Sequence, residues 1–189
     1  MLGLLLASAL AGAPAAATSL GPAPRGSTVL TAVAGRPFYS VRVDHGIFER
    51  ADVGAGIDIA SAGFVRPMAG ARVRLLSERT VSLALRVAGG MTIPTSNGGY
   101  GPRAVVRTWE GELGLSADWP FAPRLSGYVE MTLLGQTDFK AEHSANFGQA
   151  LAGLEWAPGG PVSLLARGGV LQGSRGRALI GNAGVAWRF

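Results

Sequence analysis

The 189-residue chain contains no cysteine, which excludes disulfide scaffolds, cysteine-ligated zinc, iron–sulfur clusters and thiol catalysis. Charge is also scarce. Only 15% of residues are Asp, Glu, Lys or Arg, against about a quarter in an ordinary soluble domain, and lysine occurs once, at Lys140. The net charge of +5 rests on arginines scattered with no basic run of three, so no nucleic-acid partner is expected. Long apolar runs are missing as well: after the N-terminal stretch, the longest uncharged segment, 87–102, is too rich in glycine and polar residues to span a bilayer as a helix.

What is present begins with 24 residues that carry no charged side chain. Leu2, Leu4, Leu5, Leu6, Ala7, Ala9 and Leu10 form a short apolar run, and Ala15-Ala16-Ala17 supplies small residues for cleavage. This pattern predicts a secretory signal peptide over 1–17. Pro14, Pro22 and Pro24 interrupt it before a membrane helix could form. Residues 18–26 are then expected as a short periplasmic tail and 27–189 as the folded domain.

Downstream of Arg25 the hydrophobic period is 2, which argues for strands. In 177–189, Leu179, Gly181, Ala183, Val185, Trp187 and Phe189 share one face. Val105, Trp109, Leu113, Leu115, Ala117 and Trp119 do the same in 105–119, opposite Thr108, Glu110, Glu112, Gly114 and Ser116. Similar segments cover 38–45, 51–60, 68–75, 81–90, 125–136, 147–156 and 162–171, with 27–34 a short, weakly patterned tenth. Links this short join antiparallel neighbours. The expectation is an all-β, antiparallel up-and-down transmembrane barrel of ten strands, with eight as the alternative.

Alternation alone does not say which face is inside. A soluble sandwich or lipocalin-like binder would bury the apolar face, whereas a membrane barrel turns it to lipid. The polar face holds Arg42, Arg72, Arg74, Arg86, Arg167 and Arg188 against Asp44, Asp52, Asp58, Glu110, Glu112, Glu130 and Glu155. Six cations against seven anions can neutralise one another in a narrow lumen, so these residues are read as a lumenal ion-pair network. Four or five residues separate the strands at 47–50, 77–80, 120–124 and 157–161, while 91–104 and 137–146 are longer. Short turns on one side and long loops on the other are the barrel pattern. Trp119, Trp156, Trp187 and Phe189 lie on the apolar face at strand ends of the short-turn side, with Trp109 nearer the other end; they are expected to form aromatic girdles at the two interfaces.

The final strand, Ala178 to Phe189, ends on an aromatic residue and resembles the C-terminal signature of bacterial outer-membrane β-barrel proteins. That resemblance implies residence in the outer membrane, with the barrel assembly machinery and outer-membrane lipid as partners, and the barrel is read as a monomer. A barrel this small has little room for a pore. Two enzyme families of similar barrels fit poorly. Omptin proteases use an Asp/His pair near the extracellular rim, but Asp44 and His45 are adjacent and so face opposite sides near the other rim. Lipid A deacylases use a His and a Ser two residues apart with a Glu, whereas His143 and Ser144 are neighbours, with Glu142 and Glu155 nearby. A lipid A-modifying esterase is therefore the third reading, behind a soluble binder, and no cofactor or metal is expected. The loops assigned outside, with their edges, contain Arg36, Arg66, Arg103, Lys140, Arg175 and Arg177 against Asp138 and Glu142. Arg103, Arg107, Arg175 and Arg177 are expected to contact lipopolysaccharide, because guanidinium groups grip phosphates in bidentate fashion.

Overall fold

The structure, a computed structural model, describes residues 21–36, 38–60, 63–78, 80–95, 107–139, 144–173 and 176–189. Its ten strands are β1 (Thr28–Arg36), β2 (Phe38–Phe48), β3 (Ala51–Ala60), β4 (Phe64–Ser77), β5 (Ser82–Pro94), β6 (Thr108–Ala122), β7 (Leu125–Asp138), β8 (Ser144–Gly159), β9 (Val162–Gly173) and β10 (Gly176–Arg188). Each pairs antiparallel with its sequence neighbour, and β1 closes on β10 with Val29 opposite Arg188 and Arg36 opposite Gly181. Closure leaves no strand edge with unpaired N–H and C=O groups, which a chain in hydrocarbon requires. Ten strands form the wall, so the eight-stranded alternative falls away. The weakly patterned first segment is needed to close the ring.

The pleat separates two chemistries. Val87 (54% exposed), Leu113 (49%), Met131 (65%) and Leu133 (65%) point outward, while Asp44 and Asp52 are 1% and 0% exposed. A soluble sandwich or lipocalin would show the reverse, and that alternative is overturned by the placement of these side chains. The start of β1, the end of β10 and the strand ends that face one another at β2–β3, β4–β5, β6–β7 and β8–β9 lie at one end of the barrel, here the terminal end. The strand ends that face one another at β1–β2, β3–β4, β5–β6, β7–β8 and β9–β10 lie at the distal end.

Strands run further than the alternation suggests. β7 continues to Asp138 and β8 starts at Ser144, absorbing half of the loop expected over 137–146. β4 likewise starts at Phe64, which carries Arg66 into the wall with its side chain inward; the reading of Arg66 as an outer-loop residue is corrected. Pro67, which has no N–H to give the ladder, obscured the strand at this point.

Candidate functional site: the charged lumen

The inner face holds polar side chains at three levels. At the terminal end, Arg72 reaches from β4 across β3. Its Nε and Nη2 donate to Asp52 Oδ1 and Oδ2 at 3.2 and 2.6 Å, and Nη2 lies 3.1 Å from Asp44 Oδ2. Arg42, on the same face of β2 as Asp44, donates from Nε to Asp44 Oδ1 at 2.6 Å. Two buried carboxylates are thus held by two guanidinium groups, an arrangement that offsets the desolvation of each charge.

Midway along the axis, Arg86 Nη1 on β5 lies 2.9 Å from Glu112 Oε1 on β6. On the far wall, Arg167 Nη1 lies 3.6 Å from Glu130 Oε2, and its Nε donates to Asn182 Oδ1. Tyr128 is buried beside them, almost wholly out of contact with solvent. These side chains enclose a cavity of about 150 Å³, lined also by Ser40, Ser116, Thr132 and Gln149, a space on the scale of a few water molecules.

Near the distal end Arg66 joins three strands. Its Nε donates to Asp58 Oδ2 at 2.9 Å, with Nη2 on the same oxygen, and Nη1 donates to Glu110 Oε2 at 3.3 Å. The other oxygen of Glu110 accepts from Thr92 Oγ1 and, at 2.7 Å, from Gln136 Nε2. The guanidinium of Arg66 also lies 5.1 Å from the centre of the Phe38 ring, within cation–π range.

The structure therefore brings together Arg42, Asp44, Asp52 and Arg72, then Arg86 with Glu112, then Glu130 with Arg167, and Asp58 and Glu110 around Arg66. Arg74 faces inward but donates to a backbone carbonyl, Pro22 O, at 3.2 Å. Glu155 is buried at the terminal end and Arg188 faces inward from the last strand. Sequence reasoning missed Arg66 and the inward, buried Asp118. Extending the β6 alternation Thr108, Glu110, Glu112, Gly114, Ser116 by one step reaches Asp118, so that signal was available.

On the outer wall, Trp119, Trp156, Trp187 and Phe189 face outward near the terminal end, with Phe121 beside Trp119 and Phe189 stacked on Trp187 at 5.6 Å. Trp109 packs on Phe139 at the distal end, ring centres 4.8 Å apart. Trp109 and Trp119 share a face of β6, ten residues apart. At about 3.3 Å per residue and a tilt near 40°, that separation is about 25 Å, the height of the apolar band in such barrels. Arg107 and Arg177 are exposed near the distal end, Arg177 donating to Gln172 Oε1 at 2.5 Å. Arg103 and Arg175 lie outside the described residues, as do residues 1–17, expected as a signal peptide, and Lys140, Glu142 and His143. Asp44 points into the lumen whereas His45 points out, its Nδ1 3.0 Å from Thr28 Oγ1, so the two do not meet. Asp52 and Asp58 lie at opposite ends of β3.

No family model matches the chain, and no curated protein matches it. Among solved structures it is similar to outer-membrane expressed OmpT of Vibrio cholerae, at 9% identity and a TM-score of 0.46, over 88% of this chain. The chain spans 62% of the length of that protein. It is also similar to the KdgM porin, at 10% identity and a TM-score of 0.45, over 86% of this chain and 99% of that one. A de novo designed transmembrane β-barrel gives 13% identity and a TM-score of 0.40, over 90% of this chain and all of the design. Closed, ten-stranded, apolar outside between aromatic belts and ionic within, the chain is a transmembrane β-barrel.

Proposed function

We propose that this barrel is a non-enzymatic, monomeric structural or surface-interaction protein with its terminal end in the periplasm and its lumen sealed to solutes. The observation that carries this reading is the set of ion pairs bridging β2, β3 and β4 at one end and β3, β4 and β6 at the other. Side chains paired along the inner wall narrow the lumen at both ends, and displacing one would leave buried charge unpaired, at a cost of several kcal/mol. The separation of Asp44 from His45 and the outward, exposed position of Ser144 support a barrel without a hydrolytic centre. The test is conductance in planar bilayers: the full chain, folded as judged by heat-modifiable gel mobility, is expected to give no stable current steps. Regular porin-like steps would contradict the reading.

The surface role we assign is anchoring in lipopolysaccharide. Arg107, just before β6, and Arg177, on β10, stand exposed at the distal end, placed to reach lipid phosphates around the rim, and Arg103 and Arg175 lie close to them in sequence. Reversing all four to Glu should lower co-purified lipopolysaccharide several-fold. Unchanged retention would remove the anchoring role and leave the sealed barrel standing. Insertion is assigned to the barrel assembly machinery through the strand ending at Phe189.

A further inference from the structure

The terminal mouth is closed by the chain's own residues. Gly21, Pro22 and Ala23 are buried, Pro22 among the most completely enclosed side chains in the barrel. The wall reads the backbone of this segment. Asp52 Oδ2 accepts the Ala23 N–H at 2.7 Å, and Arg74 Nη2 donates to the Pro22 carbonyl at 3.2 Å. Just beyond, Arg25 bridges Gly46 in parallel, with Gly26 N donating to Gly46 O at 2.8 Å and Gly46 N to Ser27 O at 3.0 Å.

The fit is specific in two ways. Between two prolines that have no N–H, Ala23 carries the single donor, and a single carboxylate meets it. At Gly46 a Cβ would stand 2.1 Å from Pro24 O and 2.6 Å from Ala23 O, so any side chain at this wall position would collide with the segment. The Ala23 methyl then rests in an apolar cluster with Val29, Leu165 and Ala186. Behind it lies the 150 Å³ cavity, bordered by Arg42, Asp44 and Arg72. Prolines hold the segment extended before it docks, which lowers the entropy lost on ordering.

We infer that the terminal mouth is a binding site for an extended, proline-bearing peptide, filled in cis by residues 21–24, which act as a removable plug between that end and the cavity. This builds on the sealed-lumen reading. Within residues 18–26, expected as a short periplasmic tail, Gly21, Pro22 and Ala23 are buried in the terminal mouth.

The experiment compares the full chain with a variant lacking residues 21–24, both in planar bilayers, with heat-modifiable mobility reporting closure of the barrel. The deletion should raise ion leak at least tenfold, and the synthetic peptide Gly-Pro-Ala-Pro-Arg added from the terminal side should suppress it. The same peptide with its alanine N-methylated should not, because it offers Asp52 no donor. A folded deletion barrel that leaks no more than the full chain overturns the plug. If the full chain conducts and the deletion conducts tenfold more, the plug stands and the sealed-lumen reading falls. Should the deletion not fold, thiol labelling decides, since the chain has no native cysteine. Ala23→Cys should react with a water-soluble maleimide at least tenfold more slowly than Arg25→Cys, and Arg74→Gln should narrow that gap; equal rates in the folded barrel overturn the inference.

Discussion

Arg72 on β4 and Arg86 on β5 stand directly opposite each other in the ladder, both pointing into the lumen. Like charges in that relation repel. They coexist because each is drawn to a different side, Arg72 toward Asp52 and Asp44 and Arg86 toward Glu112. The ion pairs therefore form one interdependent arrangement around the wall.

Removing one member should expose that dependence. Arg72→Met leaves two carboxylates buried without their shared cation and is expected to cost about 3–5 kcal/mol, read from urea unfolding in lipid vesicles. Adding Asp44→Asn and Asp52→Asn to the same variant should recover most of the loss. A single substitution costing under about 1 kcal/mol, the range of an exposed pair, would mean that the cluster is hydrated.

The outer wall gives an independent prediction. Leu113→Arg, near the middle of the band between Trp109 and Trp119, should destabilise the vesicle-inserted barrel by about 2–4 kcal/mol, whereas Ala122→Arg beyond the terminal girdle should cost about 1 kcal/mol or less. Equal effects at the two positions would contradict a bilayer centred on Leu113.

Packing inside the lumen is testable through Gly153, where a Cβ would stand 2.6 Å from Tyr128 Cζ and 2.5 Å from Ala166 O. Gly153→Ala must displace the buried phenol and is expected to cost about 1–3 kcal/mol. Gly111→Ala, which meets nothing within 4 Å on the outer face, should change stability by no more than about 0.5 kcal/mol. The same unfolding assay reads both.

Strand number, antiparallel order and the inward face that carries residues such as Asp44, Arg72 and Glu112 are legible in the sequence, because the pleat imposes period 2 and the two environments differ sharply in polarity. The pattern weakens where the lumen itself is apolar. β1 turns Val29, Thr31 and Val33 inward toward Leu165, Ile180 and Ala186, so neither of its faces reads as polar. It fails at Pro67, which hid the start of β4 and with it Arg66. The plug was beyond reach for a different reason: a Pro-Ala-Pro stretch has no periodicity, and its partners Asp52 and Arg74 are brought to it only by closure of the ring. Which carboxylate meets which arginine is likewise a matter of strand stagger, as Arg66 bonding to Glu110 forty-four positions away illustrates.

The most direct test is the orientation of the wall itself. Spin labels placed singly at Gly111, Leu113, Leu115, Met131, Leu133 and Val185, and at the inward Ser40, Ser116 and Thr132, can be read in lipid vesicles for relaxation by oxygen and by a water-soluble nickel chelate. The account predicts that the first group is relaxed by oxygen and shielded from nickel, with oxygen exposure greatest near Leu113, while the second group is shielded from oxygen. Nickel-accessible labels at Leu113, Met131 and Val185 would place water where the account requires acyl chains.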